Sequence, residues 1–179
     1  MQVAKHLGAG RIIATGRNLD VLRSLAALGA SATIPLGENE AALEESFIEQ
    51  TTAGVDVVLD YLWGKSAEAL LRAAARSGTG AVPMRFVQIG ATRGSGITLP
   101  AGVLRSSPIQ LMGSGLGSVA NDRLVHCIGE LLKAAGPVGS KSQPERSLCR
   151  RLSLHGTRMA AACAQCSRLA RRILEGRNL

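Results

Sequence analysis

Aromatic side chains are nearly absent from this sequence: two Phe, one Tyr and one Trp among 179 residues, 2% of the chain. A core must then be built from Val, Ile, Leu and Ala, which suits a parallel sheet covered by helices. The same shortage argues against a nucleic-acid platform, because stacked bases need aromatic faces. Cysteine is missing until Cys127, and the other three, Cys149, Cys163 and Cys166, fall in the last quarter. With no signal-peptide pattern ahead of them they read as thiols, not as a disulfide framework. No apolar run reaches the roughly 18 residues that cross a bilayer. No transmembrane segment is expected, and the expected location is cytoplasmic.

The formal charge of +8 suggests a nucleic-acid partner until it is located. Residues 1–135 carry 12 basic and 11 acidic side chains, whereas residues 136–179 carry 9 basic and 2 acidic. The basic character therefore belongs to the end of the chain. No specific nucleic-acid partner is expected for the body.

What the body does contain is an alternation of short apolar runs and helical patterns. Arg11-Ile12-Ile13-Ala14-Thr15-Gly16-Arg17-Asn18 reads as a buried strand ending on glycine, an exposed arginine and a helix cap. Before it, Met1 to Leu7 reads as the last turns of a helix, with His6 a solvated last-turn residue. Asn18 caps a helix with Leu22, Leu25 and Ala26 inward. Ala32 to Leu36 is a second strand, and Glu38 to Gln50 a helix whose apolar face is Leu43, Phe47 and Ile48. Val55 to Leu62 is so continuously apolar that burial on both faces is expected. Ser66 is expected to cap the next helix, with Ala67, Leu70, Leu71 and Ala74 inward. Arg85 to Ala91 and Ile109 to Ser114 supply further strands. Asn121 and Asp122 open a helix carrying Leu124, Val125, Ile128, Leu131 and Leu132. Strands alternating with helices indicate an α/β protein with a mostly parallel sheet.

From Gly136 to about Arg151, Pro, Ser and Arg dominate, which reads as linker or disorder. Over residues 158–175, Met159, Cys163, Cys166, Ala170 and Ile173 share one helical face and Arg168, Arg171 and Arg172 the other, an amphipathic helix. Cys149, His155, Cys163 and Cys166 add up to four zinc donors. Only Cys163 and Cys166 make a tight pair, so the apolar stripe is the preferred reading and no metal site is assigned. The expected domains are residues 1–135, a partial dinucleotide-binding domain, and residues 136–179, a basic linker or tail.

The ordered series Gln2-Val3-Ala4-Lys5-His6-Leu7-Gly8-Ala9, Ala14-Thr15-Gly16-Arg17-Asn18, Leu28-Gly29-Ala30, Val57-Val58-Leu59-Asp60-Tyr61-Leu62-Trp63-Gly64, Val87-Gln88-Ile89-Gly90 and Leu111-Met112-Gly113-Ser114-Gly115 resembles the cofactor domain of the medium-chain dehydrogenase/reductase family. The similar branch is that of zinc-type alcohol dehydrogenase-like and quinone oxidoreductase proteins. The resemblance covers about residues 2–135. It implies a Rossmann-type doubly wound sheet, a nicotinamide cofactor, and hydride transfer to a carbonyl, alkene or quinone in a small-molecule substrate. In such proteins an acidic side chain after the second strand commonly holds an unmodified ribose. Here that place is Gly16-Arg17, followed by Asn18, and a guanidinium matches a 2′-phosphate, so the implied cofactor is NADP. Gly90 with Ala91 and Gly113 with Ser114 end strands where the nicotinamide half passes. Tyr61 and Trp63 stand where an adenine could be walled. Asp60 reads as structural, and no proton donor is named.

Two departures from the family pattern shape the expectation. The glycine-rich turn that grips pyrophosphate, with the strand before it, has no counterpart in this sequence, nor does the catalytic domain. In the order 3-2-1-4-5-6 the absent strand is central. The Arg11 and Val55 strands should then flank a gap, with open edges that invite aggregation or homo-oligomerisation. Weak or no cofactor binding by the chain alone is the corresponding expectation. Two alternatives stand beside the oxidoreductase: an inactive fragment with a frame-shifted basic tail, and a module whose basic tail binds nucleic acid or acidic membrane.

Overall fold

The computed structural model describes residues 1–78 and 83–138. In chain order their elements are α1 (Gln2–His6), β1 (Ile13–Gly16), α2 (Leu19–Ala27), β2 (Ala32–Pro35), α3 (Glu40–Thr52), β3 (Val57–Asp60), α4 (Gly64–Arg76), β4 (Met84–Gln88), α5 (Ala101–Ser106), β5 (Ile109–Gly113) and, after a 3-10 turn at Leu116–Ser118, α6 (Asn121–Val138). They divide into two compact units: Arg11–Gly113 with Met1, and Gln2–Gly10 with the residues from Ser114 on.

The first unit is α/β with parallel strands, as the alternation of patterns implies. Its strands form two sheets. β1 pairs with β2, Ile13 opposite Ala32, and β3, β4 and β5 form a second sheet in that order, with Val57 opposite Arg85 and Phe86 opposite Leu111. β1 and β3 are not hydrogen-bonded to each other, and no described segment forms a strand between them. The open flank expected beside the Arg11 and Val55 strands is therefore present among the described residues.

Helices hold the two sheets in one unit. α3 starts because Asn39 Oδ1 accepts from the N–H groups of Ala41 and Ala42, the satisfied N-cap that lets a helix begin. Its Leu43 and Phe47 join Ile34 and Leu36 of the β2 segment and Ala69 and Ala73 of α4 in one core, with Ile13 and Ile48 packed against it. The other side of α4 presents Ala67 and Leu71 to Phe86, Val103, Val58 and Ile109. Leu71, Phe86 and Val87 are fully buried, and each contributes roughly 1.5–3 kcal/mol by leaving water. Alanine at 69 and 73 lets α3 and α4 approach closely. Glu44 closes the seam, accepting from Arg72 Nε and Arg76 Nη1 at 2.9 Å each.

Several expectations are corrected. The run Val55 to Leu62 yields a strand of only four residues, half-buried, with Leu59 39% exposed. It is not a strand covered on both sides, because β3 has one ladder neighbour; β4 is the buried centre. Ser66 does not cap α4. The helix begins at Gly64, and Ser66 Oγ donates to the Trp63 carbonyl. α5 had no counterpart in the sequence reading.

In the second unit α6 begins at Asn121 and continues to Val138, beyond the point at which the linker is expected. Cys127 is buried, and that burial pushes its thiol pKa up. Of the apolar residues that α6 carries, Val125 and Leu132 are each 69% exposed. The amphipathic helix expected over residues 158–175 lies outside the described residues.

The Glu44 pair gives a pH-dependent test. Hydrogen bonds from Arg76 and then Arg72 hold its carboxyl below the usual 4.5. A lowered folded pKa adds stability that is present above 4.5 and lost as pH falls through the folded value. In urea unfolding at neutral pH, Glu44→Gln should cost about 1 kcal/mol, the upper end for a partly exposed pair. The difference should shrink in acid; no difference at neutral pH contradicts the seam.

Candidate functional site

All five described strands end on turns that carry or adjoin glycine, and a recess of the first unit lies at such ends. A pocket of about 350 Å³ is lined by Trp63, Gln88, Ala91, Ser95, Leu111, Met112 and Gly113. Trp63 follows β3, Gln88 and Ala91 sit at the end of β4, and Gly113 closes β5. The pocket therefore occupies the C-terminal ends of three adjacent parallel strands, where α/β sheets hold ligands. Register brings Asp60, Gln88 and Gly113 side by side across the sheet. The lining is mainly apolar, with the Gln88 amide and the Ser95 hydroxyl as its polar side chains.

The turn after β3 is locked by backbone contacts. Asp60 Oδ1 accepts from Leu62 N–H at 3.1 Å and Oδ2 from Trp63 N–H at 2.9 Å. Arg93 N–H donates to the Leu62 carbonyl at 2.8 Å, and Thr92 Oγ1 to the Tyr61 carbonyl at 3.1 Å. Glycine is needed where the two loops meet. A Cβ on Gly90 would stand 2.9 Å from the Tyr61 carbonyl oxygen, and one on Gly64, itself at φ +63°, 2.8 Å from that of Arg93. Between them Trp63 is held at φ 59°, ψ −162°, a conformation that costs a non-glycine residue about 1–3 kcal/mol. Its indole packs edge-on to Phe86, ring centroids 6.1 Å apart. Trp63 is also one of the pocket's lining residues.

The residues singled out in the sequence fall in three places. Ala91 and Gly113 line the pocket; Gly90, beside Ala91, packs against the Tyr61 backbone and is not in the lining. Tyr61 is 45% exposed, and its ring is not part of the lining. Gly16, Arg17 and Asn18 stand at the end of β1, in the other sheet. Arg17 is exposed and forms no ion pair among the described residues. Asn18 Oδ1 caps α2, accepting from the N–H groups of Asp20 and Val21 at 3.0 and 3.1 Å. Ser114 belongs to the second unit; it is 6% exposed, and its hydroxyl has no hydrogen-bond partner among the described residues. Trp63 stands out in the sequence by its position, whereas Gln88, Leu111 and Met112 occur there only within the runs that carry the resemblance, and neither they nor Ser95 are given a site role. Their convergence depends on the β3–β4–β5 register, which sequence spacing does not reveal.

Asp60 is the carboxylate nearest this turn in sequence. Desolvation raises its pKa above 3.8 despite the two backbone hydrogen bonds that oppose the shift. A raised carboxyl pKa means that the charged form costs stability above the folded value, a cost that fades as pH falls toward 3.8. Asp60→Asn removes the charge but keeps only one of the two acceptor oxygens, so at neutral pH it should cost less than Asp60→Ala, and it should lose ground to the parent as the cost of the parent's charge fades in acid. Asp60→Ala leaves two N–H groups without their acceptor and should cost about 1–3 kcal/mol. Thermal unfolding of both variants distinguishes this from a catalytic carboxylate, for which neither pattern is required.

Among the described residues no three His, Cys, Asp or Glu side chains come together to hold a metal ion. No described helix is long and apolar enough to cross a membrane. Compared with known proteins, residues 1–134 match the family model described as zinc-binding dehydrogenase. Among solved structures, the fold is similar to the crystal structure of AibC, with a TM-score of 0.51 and 19% identity over 63% of this chain. The chain spans 30% of AibC's length, and at that identity the likeness concerns fold alone. No curated protein matches the chain in sequence.

Proposed function

This chain belongs to the zinc-binding dehydrogenase family, and we propose that residues 1–135 serve as the cofactor part of an NADP-dependent oxidoreductase. When bound, the cofactor gives or takes a hydride, and the substrate is a small molecule with a carbonyl, alkene or quinone. The family itself is one of oxidoreductases that bind a nicotinamide cofactor. The choice of NADP, the reaction class, the residues and a cytoplasmic setting are our reading.

The observation that carries it is the pocket over the ends of β3, β4 and β5, apolar, walled by Trp63 and floored by Gly113. Its volume and lining suit one flat ring with a polar edge. In this reading Trp63, Ala91 and Gly113 hold the nicotinamide half, with the Gln88 amide free to bond its polar edge, and the loop after β4 keeps water out. Gly90 and Tyr61 shape the strand ends around that half. At the end of β1, Gly16 lets the backbone approach the ribose, Asn18 fixes the start of α2, and Arg17 meets the 2′-phosphate. An exposed guanidinium with no ion pair among the described residues is available for that phosphate without breaking a contact.

The described residues include no glycine-rich turn aimed at a pyrophosphate, a group normally held by backbone N–H groups at a helix N-terminus. Residues 136–179 enter this reading as a basic linker or tail with no part in catalysis. Binding by the chain alone is accordingly expected to be weaker than micromolar. Calorimetry at millimolar ligand should show NADPH favoured over NADH. A charge-assisted bond of about 1.5–3 kcal/mol makes the ratio roughly ten- to a hundredfold, and Arg17→Ala should abolish it. Equal affinities in the parent chain would contradict the role of Arg17, and micromolar binding would contradict the dependence on a missing cradle.

A further inference from the structure

The pocket over the ends of β3, β4 and β5 has no charged side chain in its lining. Lys65 and Arg93 each stand two residues from a lining position, Lys65 after Trp63 and Arg93 between Ala91 and Ser95. Lys65 is committed, its Nζ lying 2.6 Å from Glu40 Oε1. Arg93 is exposed, and its guanidinium makes no hydrogen bond or ion pair among the described residues. The carboxylates near this turn in sequence are occupied as well. Asp60 accepts from the N–H groups of Leu62 and Trp63. Glu68 accepts from the Thr98 N–H at 2.7 Å, and its other oxygen stands 3.9 Å from Arg72.

The position of Arg93 is set by its backbone, not by its side chain. Its N–H donates to the Leu62 carbonyl at 2.8 Å, and the Thr92 N–H and hydroxyl both donate to the Tyr61 carbonyl. A Cβ on Gly94 would stand 3.3 Å from the Gly64 Cα, so the loop lies against the start of α4. A cation is thus held beside an uncharged pocket with no partner of its own. Hydride transfer needs the reacting carbon in contact with the nicotinamide. With the nicotinamide half in this pocket, the substrate must lie against it, beside the same loop. Trp63, Leu111 and Met112 suit an apolar body, and a guanidinium's planar fork matches a carboxylate.

We propose that Arg93 is a specificity-determining residue that takes the carboxylate of the substrate, which is then a small unsaturated or keto acid with an apolar body; the assignment rests on the cofactor reading given above. Gln88 and Ser95 remain for neutral polar groups, and Arg93 supplies the selection by charge.

The test follows the Trp63 indole and Arg93 Nε–H resonances of the full nitrogen-labelled chain at millimolar NADPH, titrated with cinnamate and with its neutral amide, cinnamamide. The acid should bind about fivefold more tightly than the amide, the scale of one partly exposed ion pair, and shift both resonances. The ratio should fall as salt is added, a readout that needs no variant. Arg93→Gln should bring the two affinities together, and Arg93→Lys should keep part of the difference. Neither should alter the preference for NADPH over NADH, which belongs to Arg17, or the melting temperature, since the backbone pins the loop. Equal affinities for acid and amide in the parent chain overturn the proposal. So does a preference that survives Arg93→Gln, or no response to cinnamate at high millimolar concentration. If Arg93→Gln weakens NADPH and NADH alike, the proposal also falls and the guanidinium is assigned to the cofactor's phosphates. A Trp63 resonance that ignores NADPH contradicts the cofactor reading itself, and the substrate assignment falls with it.

Discussion

The seam between α3 and α4 is the contact on which the first unit depends. Its two sheets share no ladder hydrogen bond, so nothing in the backbone pairing makes β1–β2 and β3–β5 a single body. Side chains do that: Leu43 and Phe47 from one helix, Ala69 and Ala73 from the other, with Ile13 and Ile34 beneath. The Glu44 bonds to Arg72 and Arg76 tie the same helices at the surface. A sheet is ordinarily held by its own ladder and only covered by helices. Here the helices carry the connection, and the edge beside β3 is correspondingly underburied for so apolar a strand.

This arrangement sets the relation between fold and site. The proposed cofactor contacts lie at the ends of both sheets, with Arg17 after β1 and the Trp63 pocket over β3 to β5. Bridging them requires the two sheets to keep their places, a task that falls to the seam. Within the second sheet the demand is met locally. The Asp60 carboxylate, the close approach of Gly90 to Tyr61 and that of Gly64 to Arg93 hold Trp63 in a backbone conformation that few side chains tolerate. Strain at one residue, supported by several neighbours, is a common device for presenting a side chain at a binding site.

Much of this was legible in the residues. Asn18 as the cap of α2, the inward Leu43 and Phe47, the structural role of Asp60 and the open flank beside the first strand all follow from local chemistry and pattern. Exposure of Leu59 was not, because burial of a strand depends on its neighbours, and an apolar run says only what it could tolerate. The start of α4 was missed because Asp60 caps the preceding turn from the strand side, which makes Ser66 unnecessary as a cap. Gln88 and Leu111 reach the pocket through register, a property of pairing between distant segments. Val125 and Leu132 show the same limit on α6: spacing marks the helix, but not which of its apolar residues are covered, and both are solvent-exposed.

Trp63 is the only tryptophan in the chain, so its emission reports on the pocket without interference from another indole. If the nicotinamide half binds where the strands of the second sheet end, reduced cofactor at saturating concentration must quench Trp63 and gain sensitised emission of its own, and oxidised cofactor must compete the transfer away. Binding detected by calorimetry with no change in Trp63 emission would place the cofactor elsewhere and contradict the site.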